Sequence, residues 1–206
     1  MESDDYEELL GIKTCGVQKD FYESIHYHRY EPTAYFALET LANSYSLSSN
    51  DNIVDFGCGK GRLNFFLNHF YQCNVTGIEM NKLFYENCLD NKKSYIKKHK
   101  KCDDKIHFIN CLAQDYKIKP EDNKFYFFNP FSQQIFISII KNILDSVDKS
   151  NRPVDIILYY SSYEYLYYLE NNTCFQLINE IPLPGLHEYD IREKFSIYRL
   201  DYDMYK

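Results

Sequence analysis

The stretch Ile53-Val-Asp-Phe-Gly-Cys-Gly-Lys-Gly-Arg62 runs a short apolar segment into three alternate glycines, Gly57, Gly59 and Gly61. Ile53 to Phe56 reads as a buried strand that ends at Gly57. Beyond the glycines, Leu63, Phe66 and Phe70 share one helical face over Arg62 to Tyr71. The glycines therefore fill a strand-to-helix turn. At such a turn glycine lets the chain bend sharply and lets a ligand approach the main chain, and the helix beyond offers free amide hydrogens. Eighteen residues after Gly61, Glu79 ends the run Asn74-Val-Thr-Gly-Ile-Glu79, a second strand. A carboxylate at that place can accept the hydroxyl hydrogens of a ribose. A dinucleotide site needs a third glycine at the position of Arg62, so the spacing here departs from that pattern.

Strand and helix patterns alternate on both sides of this unit. The segment from Thr33 to Leu47 has Tyr35, Leu38, Ala42 and Tyr45 at helical spacing, with Pro32 ahead of it. After Glu79 come a long amphipathic helix from Asn81, a third strand in Lys105 to Leu112 and a fourth in Lys124 to Asn129. Ser132 is a suitable N-cap for the next helix, whose rows Ile135, Ile139, Ile143, Val147 and Phe136, Ile140, Leu144 define its core face. Val154 to Tyr160 is an apolar run without alternation, the pattern of a strand covered on both faces. A Tyr-rich helix follows at about 162–170, then two strand-like runs, Thr173 to Leu183 and Lys194 to Tyr202, with no room between them for a crossover helix. Those two are expected to be antiparallel. The whole predicts an α/β, Rossmann-like, seven-stranded and mostly parallel sheet with a closing antiparallel pair and helices on both faces.

The length of 206 residues suits one domain, with 1–26 as an N-terminal extension and 27–206 as the core. A formal charge of -7 argues against general affinity for phosphate backbones. The cluster Lys97, Lys98, His99, Lys100 and Lys101 falls where a helix should end, and cations there favour the helix dipole. Seven cysteines, with no Cys-x-x-Cys pair, suggest neither a zinc site nor a disulfide framework. No metal is expected. The start of the chain is acidic and no stretch approaches the ~18 apolar residues that span a bilayer, so a cytoplasmic protein without membrane contact is expected.

The run Asp55-Phe-Gly-Cys-Gly-Lys-Gly-Arg62 with Gly77-Ile-Glu79 behind it resembles motif I and the following acidic position of class I S-adenosylmethionine-dependent methyltransferases. The resemblance extends from about Tyr27 to Tyr202. It implies that Asp55 orients the methionine end of S-adenosylmethionine, that Gly57, Cys58, Gly59 and Gly61 pass beneath it, and that Glu79 holds its ribose. Ala113 and Gln114, after the third strand, are the expected neighbours of adenine. Tyr30-Glu-Pro-Thr33 resembles an element found before motif I in some bacterial members, which places Tyr30 and Thr33 beside the methionine portion.

Asn129-Pro130-Phe131, at the end of the fourth strand, resembles the Asn-Pro-Pro-Tyr/Phe motif of methyltransferases acting on nitrogen in planar groups. There the asparagine oxygen and proline carbonyl take the acceptor's hydrogens while the ring stacks on it. This chain has one proline, which alters where Phe131 points. The resulting expectation is methyl transfer to nitrogen by Asn129, Pro130 and Phe131. Transfer to oxygen or another atom, or cofactor binding without turnover, are the alternatives. The acceptor class stays open among protein, small molecule and, ranked last, nucleic acid, as does the oligomeric state.

Overall fold

The computed structural model describes residues 2–15, 31–100 and 104–201. Tyr30, together with Lys101 and Cys102, lies outside the described residues. Along the chain run α1 (Ser3–Leu10), α2 (Tyr35–Ser44), β1 (Asn52–Phe56), α3 (Arg62–Tyr71), β2 (Asn74–Ile78), α4 (Lys82–His99) and β3 (Ile106–Ile109). They continue as β4 (Lys124–Phe127), α5 (Gln133–Lys149), β5 (Val154–Tyr159), α6 (Tyr163–Asn172), β6 (Gln176–Pro182) and β7 (Lys194–Leu200). The strands form one sheet in the order β3-β2-β1-β4-β5-β7-β6. The first five pair in parallel, and β7 runs antiparallel to both β5 and β6. The expected fold class is therefore observed. No helix among the described residues is long and apolar enough to cross a membrane.

Alternation along β4 shows how the sequence covers both faces. Phe125 and Phe127 enter the cluster built on α5, with Phe136, Ile139, Ile140 and Ile143. Tyr126 enters the opposite cluster with Leu38 and Leu41 of α2 and Leu63, Phe66 and Leu67 of α3. Because successive side chains leave a strand on opposite sides, four aromatic residues in a row serve two cores. Ser132 occupies the N-cap position of α5 in extended conformation, but no side-chain cap bond forms there.

The segment expected as an extension contributes a helix. In α1, Glu2 and Asp5 form a reciprocal capping box, and Gly11, with φ of 69°, closes the helix by donating to the Glu7 and Glu8 carbonyls. Tyr6, Leu10 and Ile12 are buried in the α2/α3 core, and the Tyr6 ring stacks on Tyr35 at 4.5 Å. Its acidic surface hides this short apolar row when the segment is read alone.

A buried ionic cluster lies near the amino-terminal ends of β4 and β5. Lys124 Nζ donates to the Tyr45 hydroxyl at 2.6 Å and to Asp155 at 3.2 Å, with Asp51 at 3.5 Å. Arg199 Nε reaches the same Asp155 at 2.7 Å. Burial works against the Asp155 charge, yet hydrogen bonding from Arg199 and the nearby Lys124 hold its carboxyl below the usual range. Removing one member of such a cluster leaves a buried charge short of its partner. Asp155→Ala is expected to lower the unfolding free energy by about 3 kcal/mol in urea titrations.

Candidate active site

Parallel strands end together, so the loops after β1 to β5 gather at one edge. The strand order lays out Ala113 after β3, Glu79 after β2, the glycine turn after β1, Asn129 after β4 and Tyr160 after β5. Neighbouring strands are about 4.8 Å apart. The edge is thus one continuous row along which an extended ligand can lie.

Gly57, Gly59 and Gly61 all have positive φ, at 81°, 56° and 85°. The most telling of them is Gly57. A Cβ there would stand 3.0 Å from Pro130 Cβ and 3.8 Å from Phe131 Cζ. The turn after β1 and the Asn-Pro-Phe turn after β4 thus lie close together, and a side chain at Gly57 would crowd Pro130 as well as strain the backbone.

Two carboxyl groups flank the glycines. Glu79 accepts the Gly59 amide hydrogen at 2.9 Å and that of Asn81 at 2.7 Å, while Asn110 Nδ2 donates to the Glu79 carbonyl at 2.7 Å. Burial pushes the Glu79 carboxyl up to about 7 against the opposing backbone hydrogen bonds. Asp55, 4% exposed, is pushed up to about 8 by burial and by the nearby Glu79. Its cross-strand partner on β4 is Tyr126, whose hydroxyl lies 2.7 Å from Thr33 Oγ1. The structure therefore brings Thr33, Asp55, the glycines and Glu79 together.

The remaining sequence-predicted residues divide. The Cys58 thiol turns inward: its Sγ lies 2.7 Å from where a Gly77 Cβ would be, and the Cys88 thiol beside it donates to the Gly59 carbonyl at 3.1 Å. Only the Cys58 main chain is left to serve the loop's outer surface. Ala113 is buried after β3. Gln114 lines a cleft of about 430 Å³ with Asn142, Asp145 and Ser146 of α5, none of it formed by the glycine turn. Asn129 adopts φ of 40°, a left-handed conformation that asparagine tolerates better than most residues. Phe131 is only 5% exposed and sits in the α5 core, its amide and carbonyl both hydrogen-bonded to the Tyr165 hydroxyl. The ring is enclosed, with its Cζ 3.8 Å from the Cβ position at Gly57.

Several residues that shape the site escaped the sequence reading. Arg62 is buried and extends away from the turn: Nε donates to Thr14 Oγ1 at 2.7 Å, Nη2 pairs with Glu7 at 3.3 Å, and the guanidinium lies 4.5 Å from the Tyr35 ring centroid. Lys60 Nζ donates to the Cys15 carbonyl at 3.0 Å, and Asn91 bridges the carbonyls of Lys13 and Lys60. The segment after α1 is thereby fastened to the glycine turn. The alternation that put Tyr126 opposite Asp55 was a readable signal, whereas the reach of Arg62 was not.

The sign of the Asp55 shift gives a test. Its folded value of about 8 lies above the ordinary 3.8, so in the free protein the folded state binds the proton more tightly. Stability then falls as pH rises from about 4 to about 8. Asp55→Asn removes that cost and is expected to stabilise the free protein by at least about 1 kcal/mol at pH 8, with little change at pH 4, in melts at the two pH values.

Comparison with known proteins adds a family to this geometry. Residues 28–129 match the family model of a methyltransferase domain. No curated protein matches the chain. Among solved structures, an RNA methyltransferase from Salinibacter ruber in complex with S-adenosyl-L-homocysteine aligns with a TM-score of 0.54 and 13% identity, over 82% of this chain and 92% of its own. A protein of the NADB-Rossmann superfamily from Streptococcus agalactiae gives 0.53 and 15% over 89% and 70%. Geranyl diphosphate C-methyltransferase from Streptomyces coelicolor A3(2) gives 0.52 and 12% over 81% and 77%. At these identities the likeness is one of fold. The matched domain holds the glycine turn, Glu79 and Asn129 on a sheet of the expected topology, and the chain belongs to the class I S-adenosylmethionine-dependent methyltransferases.

Proposed function

We propose that this enzyme transfers a methyl group to a nitrogen atom held at Asn129 and Pro130. The observation that carries the reading is the 3.0 Å approach of Pro130 to the Cβ position at Gly57, which sets the Asn-Pro turn directly against the cofactor turn. The donor set fits S-adenosylmethionine. Two enclosed carboxyl groups, both pushed up by burial, favour a cationic ligand that lets them ionise. Glycines at positive φ leave the main chain open to close approach.

In this reading Glu79 accepts the ribose hydroxyl hydrogens, Ala113 and the backbone of Gln114 flank the base, and Asp55 with Thr33 and Tyr30 orients the methionine portion. The main chain of Gly57, Cys58, Gly59 and Gly61 forms the floor. When bound, the cofactor supplies a methyl group on a cationic sulfur with a good leaving group. The chain's own contribution is then largely positioning. The Asn129 side-chain oxygen and the Pro130 carbonyl accept hydrogens from the acceptor nitrogen, which frees its lone pair from the planar group and aims it toward the glycine turn. Phe131 and Tyr165 act from behind by fixing the turn.

Glu79→Gln is expected to weaken S-adenosylhomocysteine binding about tenfold or more in calorimetry, as hydrogen bonds to a charged group are lost. Asn129→Ala is expected to keep that affinity while lowering methyl transfer from labelled S-adenosylmethionine about 100-fold. Unchanged affinity in the first variant would refute the ribose assignment, and full transfer by the second would refute the acceptor assignment.

A further inference from the structure

Of residues 59–62 in the glycine turn, only Lys60 and Arg62 carry side chains, and both end in the segment that follows α1. Lys60 Nζ donates to the Cys15 carbonyl at 3.0 Å. Arg62 Nε donates to Thr14 Oγ1 at 2.7 Å and Nη2 to Glu7 at 3.3 Å, while Nη1 donates to the Thr33 carbonyl at 3.4 Å. Thr33 Oγ1 in turn lies 2.7 Å from the hydroxyl of Tyr126, the residue paired with Asp55. One guanidinium therefore joins the amino-terminal segment both to the turn and to Thr33.

Glu7 organises the other end. Its Oε1 accepts the amide hydrogens of Thr14 at 2.8 Å and Cys15 at 3.0 Å, together with the Thr14 hydroxyl and Arg62. Burial works against its charge, yet the bonds from Thr14 and Cys15 and the nearby Arg62 hold its carboxyl below the usual range. Asn91 closes the arrangement from α4: Oδ1 accepts from the Lys13 amide at 2.8 Å, and Nδ2 donates to the Lys13 and Lys60 carbonyls, each at 3.1 Å. The amides of Lys13, Thr14 and Cys15 are thus held by side chains rather than by helix or sheet. With eight residues, α1 is itself too short to persist as an isolated helix in water. The segment 2–15 keeps its structure through its contacts with the turn and with α2, α3 and α4.

Resting on the cofactor reading of the glycine turn and Thr33, we propose that Glu7, acting through Arg62, is a positioning residue for S-adenosylmethionine, and that docking of residues 2–15 and cofactor binding favour one another. A turn built on left-handed glycines has many other conformations open to it, and losing its anchors lets the free protein populate arrangements that do not bind. Coupling between two equilibria is reciprocal, so a segment that aids binding is held more firmly once the ligand is bound. Residues 2–15 are thereby a working part of the cofactor site.

Two measurements on the full chain test this. In calorimetry, Glu7→Ala and Thr14→Val are each expected to weaken S-adenosylhomocysteine binding about fivefold or more. Glu7→Gln, whose amide oxygen can accept the same bonds, is expected to recover most of the loss. Asp155→Ala, which destabilises the fold from the opposite end of the strands, is expected to leave that affinity unchanged. In amide hydrogen exchange of the unsubstituted protein, S-adenosylhomocysteine is expected to slow Lys13, Thr14 and Cys15 about fivefold or more, as reciprocity requires, and the turn amides of Leu186 and Tyr189 not at all. The exchange measurement needs no variant, so it decides the matter even where a substituted chain fails to fold. Unchanged affinity in Glu7→Ala or Thr14→Val, an equal loss in Glu7→Gln or Asp155→Ala, or exchange at 13–15 slowed no more than at Leu186 and Tyr189 would overturn the proposal. Failure of S-adenosylhomocysteine to bind the unsubstituted protein would instead remove the cofactor reading on which it rests.

Discussion

Asp55 and Glu79 lie at the ends of neighbouring parallel strands, both buried, with Glu79 tied to the amides of Gly59 and Asn81. Burial resists ionisation of each, and their proximity raises Asp55 further. Around this pair the local structure follows. The glycine turn takes its left-handed conformations beside Glu79, Asn110 holds the next turn from β3, and Tyr126 with Thr33 encloses Asp55 from β4 and the segment before α2. An arrangement that disfavours its own charges in the free protein is suited to a cationic ligand, and such tension is characteristic of functional sites.

The site is supported by elements far from it in sequence. Arg62 draws Glu7 and Thr14 against the start of α3, and Asn91 of α4 bridges the carbonyls on both sides of that junction. On the other flank, Tyr165 of α6 holds the backbone of Phe131, and its ring stacks on Phe136 of α5 at 3.8 Å. The glycine turn and the Asn-Pro turn are each braced from outside and touch at Gly57. Rigid support of this kind is what a reaction dependent on positioning requires.

Much of the architecture was legible because its causes are local. Apolar runs bounded by turn residues marked the strands, most plainly β4 and β5, which are covered on both faces and so need apolar residues on both, whereas the edge strand β6 is largely exposed. The helical face of α5 followed from i, i+4 rows, and the spacing of Gly57, Gly59, Gly61 and Glu79 marked the strand-to-helix turn and the strand end that the structure brings together. The helix α1 was missed because two buried apolar residues, Tyr6 and Leu10, are too few to give a periodic pattern. The enclosure of the Asn-Pro-Phe turn was not legible, because it depends on Tyr165, 34 residues further along, and on a left-handed conformation at Asn129.

The sequence by itself determined the α/β class, the strand-turn-helix unit at Asp55 to Arg62 and the strand end at Glu79. It could do so because hydrophobic period and glycine spacing act over a few residues. Tertiary structure alone decided that Phe131 faces inward, that Arg62 fastens the amino-terminal segment, and that Tyr160 meets Asp190 and Arg192 beside Phe128. Each of these rests on contacts across about 30 or more residues or on a backbone conformation set by its surroundings, and neither is encoded in local spacing.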